Sequence, residues 1–280
     1  MGIARAAAEL LVEEALAKPF SGRAMGFGRQ DLSFPMRDVV AYAKKRGLAM
    51  TVEGEDDWAL FRALGFDELV ALDASDFEGA ELVHDLNRPI PDALHGRFDF
   101  VFNGGTLEHV FDVRTGLANA GDLVREGGRV VHVAPVSNQI DHGFYCFSPT
   151  LLLDWAEANR WTVRSAYVFQ ARDFESPWTV YAYEPGAFDA ITSRFHDVRA
   201  SGITMAGLWF CIEKGAASTT TAIPQQGLYR RAWSKAEASG SPSREPTGLA
   251  RAVRDAKRRL DRAFPALNER PMPRKIGTFG

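Results

Sequence analysis

The sequence predicts an α/β fold: a doubly wound, mostly parallel sheet of seven strands, with helices on both faces and helical extensions at both ends. Three observations predict it. The runs at 69–75 (LVALDAS), 98–105 (FDFVFNGG) and 127–135 (GGRVVHVAP) are nearly continuous in apolar residues, as expected of strands buried on both faces. Segments of helical pattern alternate with them, which is the arrangement that builds a parallel sheet. Each run ends at an acid, a glycine or a proline, the punctuation of a strand that stops at a turn.

Taken in order, residues 3–17 (IARAAAELLVEEALA) have the Ala, Leu and Glu content of an amphipathic helix, broken by Pro19 and Gly22. Residues 23–28 (RAMGFG) form a short strand ending in glycine. A helix follows over 34–46, with Asp31 or Ser33 as its cap. Residues 56–64 (DDWALFRAL) form another, stopped by Gly65. The runs at 69–75, 81–87 and 98–105 are the next strands, 112–125 is helical, and 127–135 is a further buried strand. Residues 149–159 begin a helix on Pro149, and 162–170 alternate as a half-buried strand. Beyond it, 215–226 reads as a loop, 228–237 as a helix, 239–248 (SGSPSREPTG) as a linker, 249–263 as a basic helix and 270–280 as an extended tail. The domain division expected is an N-terminal helix at 1–22, the sheet domain at 23–214, and a linker with a basic helical extension at 215–280.

Composition narrows the function classes. With 33 Lys+Arg against 36 Asp+Glu, the net charge of -3 exerts no general pull on nucleic acid or an anionic membrane. No run reaches the roughly 18 apolar residues needed to span a bilayer. Cys146 and Cys211 stand in no CxxC or His/Cys cluster, so no metal site is read from the sequence. Two reduced thiols and a charged first segment, which is no signal peptide, point to a cytoplasmic protein.

In an open parallel sheet, ligands bind outside the carboxyl ends of the strands. The residues delivered there are Gly26, Gly28 and Gln30 from the first strand, Asp73 and Ala74 from the second, and Asp85 and Leu86 from the third. The fourth delivers Asn103, Gly104 and Gly105, followed by Glu108 and His109; after the fifth come His142 and Tyr145. An acid in the place of Asp73 can accept from both hydroxyls of a ribose, or it can cap a turn. Asp85 in the place after it can meet the amino group of an adenine while the Leu86 amide faces a ring nitrogen, or it too can hold a turn. His109 and His142 are imidazoles at the catalytic edge, able to take a proton near neutral pH, with Tyr145 beside His142. Glu108 and His109 can equally serve as helix-start groups. His132, inside a strand, reads as structural, as do His84, His95 and His196.

The segments LDAS, HDLNRPIP, FDFVFNGGTLEHV and EGGRVVHVAP resemble the sequential motifs of the class I S-adenosylmethionine-dependent methyltransferases, over roughly residues 68–161. The resemblance implies a Rossmann-like sheet and S-adenosyl-L-methionine as cofactor, with S-adenosyl-L-homocysteine as product. It implies that Asp73 and Asp85 contact the ribose and adenine, and that residues around Asn103 and Gly104 line the methionine part. HGFYCFSP at 142–149 resembles a subgroup associated with small-molecule or glycan acceptors, methylated at oxygen or nitrogen. The expected partner is such an acceptor, not nucleic acid, with no stable membrane insertion and with self-association open.

The chain departs from that pattern at the first strand. Gly26-Phe27-Gly28-Arg29-Gln30 keeps two glycines of a GxGxG turn, and Asp73 follows Gly28 by 45 residues, against about 20 in a compact unit. A competing first strand at 48–52 restores the spacing but puts Glu53 and Glu55 beside the cofactor carboxylate, which they would repel. The departure keeps a second reading open, a non-catalytic module of the same fold that serves in binding or assembly. A third, a nucleotide-sugar or NAD enzyme, lacks the Tyr-x-x-x-Lys and GxGxxG it needs.

Overall fold

The structure is a computed structural model that describes residues 2–188, 204–238 and 273–280. The linker at 239–248, the basic helix at 249–263 and His196 lie outside the described residues.

In chain order the elements are β1 (Gly2–Ile3), α1 (Arg5–Ala17), β2 (Arg23–Phe27), β3 (Asp31–Leu32), α2 (Met36–Arg46), α3 (Asp57–Ala63), β4 (Glu68–Asp73), β5 (Leu82–Val83) and β6 (Phe98–Gly104). They continue with α4 (Val113–Leu123), β7 (Val124–Ser137), α5 (Pro149–Ala158), β8 (Thr162–Ala171), β9 (Trp178–Ala182), β10 (Met205–Glu213), α6 (Gly227–Ala238) and β11 (Lys275–Phe279). The main sheet runs β5-β4-β2-β6-β7-β10-β8-β9-β11, and β1 pairs with β3 apart from it.

The fold is α/β and Rossmann-like, and the expected seven-stranded, mostly parallel sheet is corrected to nine strands in a mixed sheet. β5, β4, β2, β6 and β7 pair in parallel, whereas every pairing from β7 outward to β11 is antiparallel. Helices link the co-directional strands of the parallel part, and α5 likewise links β7 to β8, which run the same way on either side of antiparallel β10; these are the stretches where apolar strands and helices alternate in the sequence. β10 is inserted between β7 and β8, which separates this order from the dinucleotide-binding order of six parallel strands.

Successive residues of the central strands face opposite sides. Trp209 and Cys211 of β10 join Phe100, Phe102 and Val131 under α1, α2 and α3. Leu208, Phe210 and Ile212 join Val101 and Val130 under α4 and α5. α1 is held on the first of these cores by polar contacts as well. Arg129 of β7, 3% exposed, donates to the carbonyls of Glu14, Lys18 and Pro19 at and just beyond the end of α1, and lies over the Phe20 ring at 3.9 Å. Lys214 at the end of β10 does the same for α4, donating to the carbonyls of Gly121 and Val124 at 2.8 Å.

Residues 23–27 are the strand of the first unit, and 48–52 form no element. The long interval to Asp73 holds two helices, α2 and α3. The cap expected from Asp31 or Ser33 is not made: Pro35 precedes α2, and the Met36 amide donates instead to the Glu55 carboxylate at 2.9 Å. Among the described residues no helix is long and apolar enough to cross a membrane.

Candidate functional site

Gly26 stands opposite Ala71 of β4 on one side and Phe102 of β6 on the other. The same register brings Gly28, Asp73 and Gly104 to one level at the carboxyl edge, where the strand order reverses about β2. Gly28 has a left-handed backbone, φ +75, and its amide donates to the Leu72 carbonyl at 2.8 Å. A Cβ there would come within 3.2 Å of Asp73 Oδ2, so the missing side chain keeps that carboxylate open. Asp73 Oδ1 accepts from the Ala74 amide at 2.6 Å.

The turn after β2 is held by Asp57, which sequence reasoning did not single out. It is 1% exposed, accepts from the Gln30 amide at 2.8 Å, and grips Arg29 at 2.8 Å while Arg29 lies over Trp58. That hydrogen-bonded pairing raises the Arg29 guanidinium further above its ordinary range. The signal was present in the paired acids before α3: Asp56 caps the helix through the Ala59 amide, which leaves Asp57 for another partner. Gln30 is buried, with its Nε2 on the Phe27 carbonyl, and its Oε1 has no hydrogen-bond partner among the described residues. A Cβ on Gly104 would lie 3.0 Å from that oxygen. A buried acceptor without a donor, beside two glycines that leave room, is a fitting place for a ligand's ammonium group.

Two of the predicted ligand contacts also hold bonds within the chain. Asn103, 1% exposed, accepts from the Thr106 and Leu107 amides at 3.0 and 3.1 Å and turns its Nδ2 to Nδ1 of His132 at 3.2 Å. With those bonds made, its side chain shapes the turn after β6 and leaves the ligand edge to Gly104 and Gly105. Asp85 accepts from the Asn87 amide and side chain at 2.9 and 2.8 Å, and those bonds hold its carboxyl below the usual range. It thus makes the turn contact that was its alternative reading, with its side chain half exposed. Leu86 is buried in the core below, its carbonyl bonded by Asn119.

A cavity of about 320 Å³ adjoins Gly104 and Gly105. Its walls include Ile3 and Ala7 from the N-terminal segment, and Phe169 and Trp178, whose rings stack at 3.6 Å. That the N-terminal helix reaches the site is not legible in its sequence, since its alanines speak only of packing. Glu108 and His142 complete the polar side of the cavity. The Glu108 carbonyl accepts from the Phe144 and Tyr145 amides, at 2.8 and 3.2 Å, so the loop after β7 is fastened to the turn after β6. Tyr145 completes the fastening through a 2.8 Å bond from its hydroxyl to the Phe111 carbonyl, which makes it a loop anchor. Asn138 and Asp141 in the same loop have left-handed backbones, φ 60 and 63.

The Glu108 side chain is 1% exposed, and burial pushes its carboxyl up to about 7. His142 Nε2 is 3.4 Å from its Oε1, and the His109 and His142 rings are 5.1 Å apart. Burial, and then the neighbouring His142, lower the His109 imidazole. The two histidines were both expected at this edge; that Glu108 is the buried member of the group was not read from the sequence.

No protein-family model matches the chain, and no curated protein matches it. Solved structures that it resembles include the YcgJ protein from Bacillus subtilis, at 11% identity over 74% of this chain and 97% of that one, with a TM-score of 0.45. Another is an S-adenosylmethionine-dependent methyltransferase from Archaeoglobus fulgidus, at 11% identity over 74% and 94%, TM-score 0.37. A third is the 1,6-didemethyltoxoflavin-N1-methyltransferase of Burkholderia thailandensis with bound 1,6-didemethyltoxoflavin and S-adenosylhomocysteine, at 15% identity over 74% and 76%, TM-score 0.36. The fold is defined by the strand order and register of the chain itself, apart from these likenesses.

Proposed function

We propose that this chain is an S-adenosyl-L-methionine-dependent methyltransferase that acts on a small-molecule or glycan-precursor acceptor, at oxygen or nitrogen. The observation that carries the reading is the convergence of Gly28, Gln30, Asp73 and Gly104 at the reversal of strand order, next to a cavity of about 320 Å³. In this reading Asp73 holds the ribose hydroxyls, the Gln30 Oε1 meets the ammonium of the methionine part, and Gly104 and Gly105 allow close approach. Once bound, the cofactor supplies a methyl group already activated by its sulfonium charge and leaves as S-adenosyl-L-homocysteine.

The protein's own task is then to hold an acceptor in line and to keep water away. The Phe169–Trp178 stack and the N-terminal Ile3 and Ala7 form an apolar wall that excludes water. Glu108 and His142 stand on the polar wall, with His109 beside His142, and an acceptor's proton is drawn off there. Tyr145, with its hydroxyl already bonded, serves by fixing the loop that carries His142.

Calorimetric titration with S-adenosyl-L-methionine and S-adenosyl-L-homocysteine tests the reading. Both should bind, and Asp73→Ala should weaken S-adenosyl-L-homocysteine by about ten- to a hundredfold, the effect of losing hydrogen bonds to a charged group. No heat from either ligand at millimolar concentration would overturn the reading in favour of a non-catalytic module, and tighter binding of NAD would favour a dehydrogenase-type enzyme.

A further inference from the structure

Glu108 and His142 on the polar wall, with His109 beside them, offer more than methyl transfer by itself requires. Glu108, His109 and His142 each present a ligand atom, and these atoms lie within 4.8 Å of one another. They come from two separate segments, the turn after β6 and the loop after β7. The loop is fixed to the turn by the amides of Phe144 and Tyr145 on the Glu108 carbonyl. The cluster is therefore a product of the fold and not of two side chains that happen to be adjacent.

The second observation is the state of the Glu108 carboxylate. It is 1% exposed and lines the cavity, and its Oε2 has no hydrogen-bond partner among the described residues. Its ion-pair contact among those residues is His142, at 3.4 Å, which is charged only when protonated. A buried carboxylate oxygen without a donor is unfavourable unless it takes up a proton or a positive charge meets it, and the room beside it in the cavity admits a cation. No Lys or Arg among the described residues forms an ion pair with it.

We propose that Glu108, His109 and His142 bind a divalent transition-metal ion on the wall of the acceptor cavity, with the remaining coordination positions open to an oxygen of the acceptor. Two imidazoles and one carboxylate suit zinc, cobalt, iron(II), nickel or manganese, whereas calcium and magnesium favour oxygen ligands. Three protein ligands leave positions open, as catalytic metal sites do. With metal–nitrogen bonds of about 2.1 Å, neighbouring donors sit about 3 to 3.4 Å apart. Glu108 and His142 are already at that separation. His142 has a 42% exposed side chain on a loop, so the small inward movement the third ligand requires is sterically open. The proposal rests on the reading above in one respect, that an acceptor occupies this cavity.

The experiment is titration of chelator-treated full-length protein with cobalt(II) chloride, followed by visible absorption, and with zinc and manganese chlorides by calorimetry. One cobalt ion per chain is expected, with affinity at least tenfold lower in Glu108→Gln and in His142→Ala, and unchanged in the surface control His95→Ala. Circular dichroism checks that the variants are folded. Should Glu108→Gln not fold, the exposed His142→Ala decides. Absence of saturable binding below millimolar metal, or affinities equal in wild type and His142→Ala, overturns the proposal. S-adenosyl-L-homocysteine is titrated into the same samples. Failure of that ligand to bind strikes the methyltransferase reading and leaves the metal result standing, and the converse failure strikes the metal site alone.

Discussion

At the residue scale, Gly28 and His132 carry the clearest consequences. A left-handed backbone costs an ordinary residue about 1–2 kcal/mol, and a Cβ on Gly28 would press on Asp73 Oδ2. Gly28→Ala should therefore lower stability by about that amount and weaken S-adenosyl-L-homocysteine beyond what the stability loss explains. Equal binding to wild type in calorimetry would remove Gly28 from the cofactor edge. His132 is buried in β7 against Asn103, and desolvation pushes its imidazole down to about 4. The unfolded chain takes up this proton near pH 6.5 and the folded chain only near 4, so stability is full above 6.5 and is lost as pH falls through that window. The loss is about 3 kcal/mol. Urea midpoints measured between pH 7.5 and 4, taken as about the span of that window, should fall in wild type and fall less in His132→Gln. Parallel profiles would show that another group governs the acid side.

At the element scale, one guanidinium anchors the end of α1. Burial lowers the Arg129 pKa, yet the side chain stays in place because three carbonyls and the Phe20 ring receive it, with the Glu14 carboxylate 4.0 Å away. Arg129→Ala should cost about 3–5 kcal/mol, the loss expected when one side of a buried charged group is removed. Thermal unfolding reads it, and an unchanged midpoint would mean that α1 docks through apolar contacts alone. The elements also show what the sequence made legible. β4, β6 and β7 could be read because strands covered on both faces are apolar throughout, and their ends marked Gly28, Asp73 and Gly104. β9 and β10 were not individually legible: their partners lie far along the chain, and nothing in MAGLWFCIE tells that it enters between β7 and β8. Asn103 and Asp85 hold turns for a local reason. Short polar side chains satisfy nearby amides first, here those of Thr106, Leu107 and Asn87. The Glu108–His109–His142 group was invisible as a unit because its third member joins only through the loop fastening.

At the scale of the whole molecule, the described ends of the chain meet on one face. Gly280 donates to Glu9 Oε2 at 2.8 Å, and β11 pairs with β9, with Phe279 buried near Tyr42. Removing residues 275–280 takes a buried aromatic from the core and a donor from a buried carboxylate. Denaturation should show a loss of about 3–5 kcal/mol, and a chain ending at Arg274 with wild-type stability would refute that role for β11.

The inserted strand β10 also bears on how the protein comes to be folded. Synthesis proceeds from the amino terminus, and the parallel strands through β7 can pair as soon as Ser137 is available. From then until Met205–Glu213 has been made, β7 presents a bare row of amides and carbonyls between apolar side chains. β8, although made earlier than β10, has no place on that edge, because its partners are β10 and β9. The nascent chain thus passes through an interval in which the edge of β7 is open to other chains. The insertion gives the finished sheet its order at the expense of a slow, non-local step during which the growing polypeptide is most prone to aggregate.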